Sequence, residues 1–361
     1  MIPTPNNRRH DLDALRACAM LLGIALHASI SYNGLGWAIA DTTSSKAFVW
    51  LFDAVHGFRM QLFFLVSGFF TAMLFQKRGL KALLQHRFKR IFLPLLIFTP
   101  IFSALTEWVL AIYWHQQDSA HQAWQHFTFH HLWFLWFLCI FVLLFALATR
   151  LPKLKLKASY IQSPTCLLWL LPLTLIPQSF FQKAYPLIGP ESSVGLIPQI
   201  EVLSYYAIFY AFGITLYYAG DSLVSRHWKW KLAIALFLLF PASYYTEKLS
   251  FSYAPHFSHL SDLLQVSYTW LMVFGCLGLF QHYFQHPSAK MRNLSDASYW
   301  LYLAHLPLVF ALQLLILDWP MHCSVKFLIV TIASFIILLA SYHYAIRYTW
   351  IGSLLNGKMT K

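Results

Sequence analysis

Long apolar runs follow one another along this chain, and most have the length that a helix needs to cross a bilayer. Short polar segments, many of them rich in lysine or arginine, separate the runs. The pattern predicts an all-α polytopic membrane protein with about ten transmembrane helices, and residues 1–361 are expected to form one integral membrane domain. The expected spans are residues 12–32, 48–75, 91–114, 132–149, 165–181, 198–219, 230–246, 262–284, 297–317 and 323–346. The fifth is the weakest, because it is short and contains Pro172 and Pro177.

Composition and charge oppose a soluble fold. Hydrophobic residues make up 58% of the chain and charged residues 11%. The net charge of +13 would suit a nucleic-acid partner, but most of the 26 lysine and arginine residues fall on alternate segments between the spans. By the positive-inside rule this distribution places both termini in the cytoplasm. We therefore expect membrane lipid as the partner of these basic residues, and no nucleic acid.

The first span carries Arg16 and His27, which are the first candidates for chemistry. Eleven residues are close to three helical turns, so both side chains project from one face, roughly 16 Å apart along the axis. An ionisable group at membrane depth is costly and usually marks a functional site. A histidine near neutrality can accept a proton, so His27 is a candidate base. The alternatives are a histidine satisfied by a neighbouring helix and an arginine that only anchors the span.

A second basic cluster stands at the cytoplasmic entry of the third span, where Arg87 and Arg90 are three residues apart. Residues at this spacing are neighbours on a helix surface. Two guanidinium groups there can clamp phosphates through bidentate hydrogen bonds. Together with Arg16 they predict a cytoplasmic anion pocket. Ordinary juxtamembrane charge is the alternative.

Polar side chains also interrupt the second span: Asp53, His56, Arg59 and Gln61. The first three step by three residues and so share a broad stripe of one helix. We prefer a polar site that binds the acceptor substrate near the outer surface. A neutralising pair between Asp53 and Arg59 is the alternative.

His131 and Trp133 lie at the start of the fourth span and complete the candidate substrate site. Both residue types are common at membrane interfaces, which is the alternative explanation. Glu107, Glu201 and His305 receive no role from the sequence. The five cysteines are scattered without C-x-x-C spacing, and we expect no metal site.

Four motifs in order along the chain resemble the membrane-bound acyltransferase-3 family. They are Arg16-x10-His27, Phe63-Phe-Leu-Val-Ser67-Gly68, Arg87-x-x-Arg90-Ile followed by Pro94, and Ser298-Tyr-Trp-Leu-Tyr302-Leu-Ala-His305. Within the family, Phe58-Arg59-Met60-Gln61 and His131-Leu-Trp-Phe-Leu135 are similar to members associated with succinylation of periplasmic glucans.

The resemblance implies an O-acyltransferase of the bacterial inner membrane. Its donor would be cytoplasmic acyl-CoA, with succinyl-CoA favoured over acetyl-CoA, and its acceptor a hydroxyl of a periplasmic glucan or other envelope carbohydrate. Arg16 and His27 would be the essential pair, with His27 as general base, while Arg87 and Arg90 match the family's paired arginines. The donor is a substrate, and no permanently bound cofactor is expected. Direct transfer to the acceptor and transfer through a covalent acyl intermediate on His27 both fit the resemblance.

Two other classes of function fit parts of the pattern. A transporter or flippase of an acyl or lipid-linked substrate also places polar residues inside the membrane. A non-catalytic scaffold of a polysaccharide machine would tolerate loss of both Arg16 and His27. Only an acyltransferase leaves an acylated product.

Overall fold

The computed structural model describes residues 9–35, 39–114, 128–151, 158–190, 192–220, 222–252 and 258–357, and these contain helices but no strand. The longer helices are α1 (His10–Ser29), α2 (Lys46–Arg87), α3 (Leu93–Trp114), α4 (Trp133–Ala148), α5 (Leu167–Gln178), α6 (Ile200–Ala219), α7 (Trp228–Ile234), α8 (Phe240–Ser252), α9 (Ser258–Tyr283), α10 (Ala289–Leu315), α11 (Cys323–Ser341) and α12 (Trp350–Asn356). Single helical turns of 3-10 type extend α1 over Ile30–Tyr32 and precede α4 over His130–Leu132. Stretches of π-helix join α2 to α3, join α7 to α8 and extend α11.

Within the described residues, seven helical stretches are long and apolar enough to cross a membrane. They are His10–Tyr32, Lys46–Trp114, His130–Ala148, Ile200–Ala219, Ser258–Tyr283, Ala289–Leu315 and Cys323–Ile346. This agrees with a polytopic all-α protein, whereas the number of about ten spans and the cytoplasmic location of the termini stay predictions.

The expected spans 48–75 and 91–114 fall on one stretch of 69 residues. A straight helix of that length would measure on the order of 100 Å, about three times the hydrocarbon core. Gly79 interrupts it with φ 74° and ψ 176°, a backbone conformation that is not helical. The stretch therefore changes direction at a glycine, which adopts positive φ at little cost.

The expected spans 165–181 and 230–246 are not among these seven stretches. The fifth became α5, which has 12 residues and two internal prolines, Pro172 and Pro177. At 1.5 Å per residue it reaches only about 18 Å, less than the core of a bilayer. The seventh lies on α7 and α8 with the π-helical stretch between them.

Helix α1 lies inside the bundle and packs against α2, α9, α10 and α11. Its small residues Ala14, Ala17, Gly23 and Ala28 are buried and allow these neighbours to approach closely. The side chains of α1 therefore meet residues that are distant in sequence. This placement brings His27 into contact with the rest of the site.

Helices α2 and α6 pack against each other closely at two glycines. A Cβ atom added at Gly68 would lie 2.0 Å from the carbonyl oxygen of Tyr210, and one added at Gly213 would lie 1.9 Å from that of Leu65. Both distances are impossible contacts, so only glycine fits at either position. The two glycines set how closely α2, which carries His56 and Arg59, approaches α6.

Replacement of either glycine should separate these helices. We expect Gly68→Ala and Gly213→Ala each to lower the free energy of unfolding by about 1–3 kcal/mol, because the new methyl group meets backbone that cannot move away. Thermal unfolding of the purified protein in detergent measures the effect. Gly195→Ala is the matched control, since its Cβ would lie no closer than 3.7 Å to any neighbour. Equal melting temperatures for all three variants would contradict this packing.

Candidate functional site

A single cavity joins residues from the first, second, fourth and tenth helical segments. His27 of α1 enters it beside His56 and Arg59 of α2, His131 from the turn before α4, and His305 of α10. The cavity volume is about 40 Å³. Its remaining lining residues are Met20, Gly23, Met60, Phe63, Trp133, Phe134, Ser192 and Tyr302. Four histidines and one arginine therefore share one small, mostly apolar space.

Pro307 determines how His131 is held. Proline has no N–H, so the carbonyl four residues earlier in α10, that of Leu303, loses its helical partner. The Nε2 atom of His131 lies 3.0 Å from this carbonyl oxygen. A carbonyl can only accept, so Nε2 carries the proton and Nδ1 is left bare. The Tyr302 hydroxyl donates to the His131 carbonyl at 2.8 Å and fixes the backbone of the same residue.

His56 and His305 are held through their Nδ1 atoms. His56 Nδ1 lies 2.6 Å from the carbonyl oxygen of Ile188, and its ring stacks on Phe52. His305 Nδ1 lies 2.7 Å from the carbonyl oxygen of Tyr302. By the same argument both Nδ1 atoms carry protons, and both Nε2 atoms are unprotonated acceptors. The cavity thus holds several bare ring nitrogens in fixed orientations.

His27 differs from these histidines because no described hydrogen bond fixes its ring. Its Nδ1 atom is buried without a partner. Its ring centroid lies 5.0 Å from that of His305, and the ring centroid of His131 lies 4.9 Å from that of His305. His305, Arg59, His131 and His56 all interact electrostatically with His27. His27 therefore lies beside His305 and within the electrostatic influence of the other polar residues of the cavity.

Arg59 brings a positive charge into the cavity without a described anionic partner. Its guanidinium lies against α1 at Gly23, where a Cβ atom would be 2.3 Å from Nη1. Its Nη2 atom donates to the sulfur of Met60 at 3.6 Å, and Nε is buried without a partner. None of the ion pairs between described residues includes Arg59. A buried cation with weak partners favours the binding of an anion.

Asp53 and Gln61 were predicted to belong to the same substrate site, but neither lines the cavity. Asp53 is fully buried and accepts a hydrogen bond from the backbone N–H of Ile188 at 3.2 Å. Gln61 donates to the hydroxyl of Tyr205 at 3.4 Å. The structure therefore places Asp53 with His56 as an anchor of the segment around Ile188. No described ion pair joins Asp53 to Arg59.

Arg87 and Arg90 lie where α2 gives way to the π-helical stretch Phe88–Phe92. Arg87 donates to the hydroxyl of Thr71 at 3.0 Å, and Arg90 donates to the carbonyl of Leu354 at 3.0 Å. Each guanidinium has five N–H donors, so one described bond leaves most of them available to a ligand.

Arg16 stands at the same end of the bundle. Its side chain is 40% exposed, donates to Ser295 at 3.4 Å and lies 3.6 Å from a carboxylate oxygen of Asp13. Arg16, Arg87 and Arg90 each interact electrostatically with the phenol of Tyr299. The three arginines predicted to form an anion pocket thus all act electrostatically on one tyrosine.

Three features of the site were missed by sequence reasoning. His305 received no role although it ends the motif that begins at Ser298, and that motif also contains Tyr302. Pro307 follows it, and a proline inside an apolar helix is a usable signal, because it always frees a carbonyl. The Ile188 contact had no local signal. Glu107, which also received no role, pairs with His130 at 2.9 Å and does not line the cavity.

The described residues contain no group of three or more His, Cys, Asp or Glu side chains placed to hold a metal ion. Arg16, Arg87 and Arg90 are the residues suited to hold the phosphates of a donor substrate.

Comparison with known proteins identifies the class. A family model described as an acyltransferase domain matches residues 9–344, which is nearly the whole chain. The chain therefore belongs to the acyltransferase-3 family, as its four motifs predict.

Similar proteins within this class carry the name Glucans biosynthesis protein C. Those of Salmonella paratyphi B, Salmonella heidelberg and Salmonella agona are each 33% identical over 150 residues, which is 40% of this chain and 39% of the relative. The chain thus spans about two fifths of the length of these relatives. The match confirms the resemblance to proteins named Glucans biosynthesis protein C. No solved structure gives a significant match.

Pro307→Ala tests how His131 is oriented. Alanine restores the N–H that the Leu303 carbonyl lacks, so a helical bond of α10 competes with His131 for this carbonyl oxygen. We expect acyltransferase activity to fall about 10- to 100-fold through misplacement of the ring, with a melting temperature equal to or above that of the wild type. Pro172→Ala in α5, remote from the cavity, is the control. Full activity of Pro307→Ala would show that this carbonyl does not orient His131.

Proposed function

We propose that the protein is a transmembrane O-acyltransferase that moves an acyl group from cytoplasmic acyl-CoA to a hydroxyl of a periplasmic glucan or other envelope carbohydrate. The observation that carries the proposal is the placement of His27 and Arg59 in one cavity, with three arginines near the other end of α1. Family membership supports the acyl transfer, and the name of the relatives supports a glucan acceptor.

Acyl-CoA carries groups that match the residues at both ends of α1. Its phosphates would bind among Arg16, Arg87 and Arg90, whose guanidinium groups match phosphate geometry. Its long pantetheine arm would follow α1 for roughly 16 Å and bring the thioester to His27. The donor would thereby remain bound on the cytoplasmic side while its reactive carbon reaches the opposite half of the membrane.

The reaction then needs a base and a stabiliser of negative charge. His27 would accept the proton of the sugar hydroxyl as its oxygen attacks the thioester carbon. The bond from that carbon to sulfur breaks, the proton passes from His27 to the leaving thiolate, and the products are an ester and free CoA. Arg59 would donate to the developing oxyanion. An acyl intermediate on His27 is the alternative course of the same reaction.

Arg59 also bears on the identity of the acyl group. A succinyl group ends in a carboxylate, which would supply the anion that the buried guanidinium lacks, whereas an acetyl group would not. This favours succinyl-CoA over acetyl-CoA as the donor.

Transfer of radiolabelled succinate from succinyl-CoA to periplasmic glucan in inverted membrane vesicles tests the proposed activity. We expect His27→Gln to reduce transfer about 10²- to 10⁴-fold, because the general base is lost. His259→Gln, at an exposed position of α9, is the control for histidine loss. Movement of glucan or donor across the membrane without an acylated product would instead identify a transporter.

Arg59→Gln tests the preference for the acyl group. Removal of the cation should lower succinyl transfer relative to acetyl transfer by about 10- to 100-fold, the value of a hydrogen bond to a charged group. Arg59→Lys keeps the charge without the fork geometry and should fall between the wild type and Arg59→Gln. An unchanged ratio of succinyl to acetyl transfer in Arg59→Gln would exclude a carboxylate contact at Arg59.

A further inference from the structure

Two buried ring nitrogens without partners belong to neighbouring histidines on different helices. They are Nδ1 of His27 on α1 and Nε2 of His305 on α10. The ring centroids are 5.0 Å apart and the ring planes are tilted by 50°. At this separation a rotation of one ring brings two ring nitrogens to hydrogen-bond distance. Hydrogen bonds of this kind are often long without substrate and shorten when substrate binds.

The backbone determines which of the two nitrogens can donate. His305 uses its Nδ1 proton on the carbonyl of Tyr302, so its Nε2 can only accept. His131, the other neighbour of His305, uses its Nε2 proton on the carbonyl of Leu303, and its bare Nδ1 is likewise an acceptor. Two acceptors cannot bond to each other. Among the histidines of the cavity, the one that can donate to His305 is therefore His27.

Carboxylates are missing from the described lining of this cavity. The charged and titratable groups that act on His27 are His305, Arg59, His131 and His56. A histidine base is ordinarily oriented by a third group that accepts a hydrogen bond from its second ring nitrogen. In this cavity the bare Nε2 of His305 occupies that position.

We propose that His305 is the positioning residue of the catalytic base, with His27 Nδ1–H donating to His305 Nε2. The proposal rests on the acyl transfer proposed above. The contact fixes the tautomer of His27 and leaves its Nε2 unprotonated toward the cavity. The sugar hydroxyl loses its proton to His27 Nε2 as its oxygen bonds to the thioester carbon. That carbon then releases CoA thiolate, which takes the proton from Nε2, while the proton on Nδ1 stays throughout.

The side chains of asparagine and glutamine separate the two nitrogens of His305. His305→Asn places an amide near the former Nδ1, so it keeps the bond to the Tyr302 carbonyl but offers His27 no acceptor. His305→Gln places an amide near the former Nε2, so its oxygen accepts from His27 Nδ1 although the bond to Tyr302 is lost. A positioning role and a purely structural role therefore predict opposite orders of activity.

The experiment measures kcat and KM for succinyl-CoA in the full-length protein in membranes, with periplasmic glucan as acceptor. We expect His305→Asn to lower kcat about 100-fold or more with KM nearly unchanged. The kcat of His305→Gln should be at least tenfold higher than that of His305→Asn. The exposed His259→Asn on α9 is the matched control, and melting temperatures confirm that the variants are folded.

Three outcomes would overturn the proposal. One is wild-type kcat in His305→Asn, and another is higher kcat in His305→Asn than in His305→Gln, which would mark the Tyr302 contact as the only role of His305. If His305→Asn does not fold, kcat of His305→Gln at or below that of His27→Gln also contradicts it. Absence of transfer by the wild type would instead remove the proposed function, and this inference with it.

Discussion

The missing N–H of Pro307 is the constraint on which the geometry of this site depends. Inside a bilayer an unpaired carbonyl is costly, so the oxygen freed at Leu303 recruits a donor from another helix, and that donor is His131. The contact joins the start of α4 to the middle of α10. It also removes one proton position from His131 and directs a bare nitrogen into the cavity. The missing backbone N–H of Pro307 thus determines which ring nitrogen of His131 carries the proton.

The positive charge of Arg59 is the second feature that defines the cavity. Gly23 lets the guanidinium lie against α1, one helical turn before His27, where any larger residue would collide with it. The cation is therefore near the base but faces no described carboxylate. Such an arrangement is unfavourable in the empty protein and favourable once an anion binds. We infer that an anionic substrate gains binding energy by pairing with this cation.

The sequence predicted those features that depend on periodicity. Helical spacing placed Arg16 and His27 on one face, and the structure shows one near the other arginines and one in the cavity. Spacing by three also grouped Asp53 with Arg59, yet successive steps rotate by about 60°, so the two ends of that stripe diverge. Asp53 consequently meets Ile188 while Arg59 enters the cavity.

Long-range contacts could not be predicted from the sequence, for a physical reason. Hydropathy describes the length of a helix but not the residue that it meets, so neither the bond of His56 to Ile188 nor the proximity of His27 to His305 had a local signal. The length of the spans was similarly ambiguous, because a single glycine, Gly79, interrupts one long helical stretch that hydropathy divides into two.

The most direct measurement is an experimental structure of the protein bound to a non-transferable thioether analogue of succinyl-CoA. We expect nucleotide phosphates among Arg16, Arg87 and Arg90, the analogue's arm along α1, and its terminal carboxylate within hydrogen-bond distance of Arg59. The acyl carbon would then lie beside His27. Nucleotide density remote from these arginines, or an acyl group outside the His27 cavity, would contradict it.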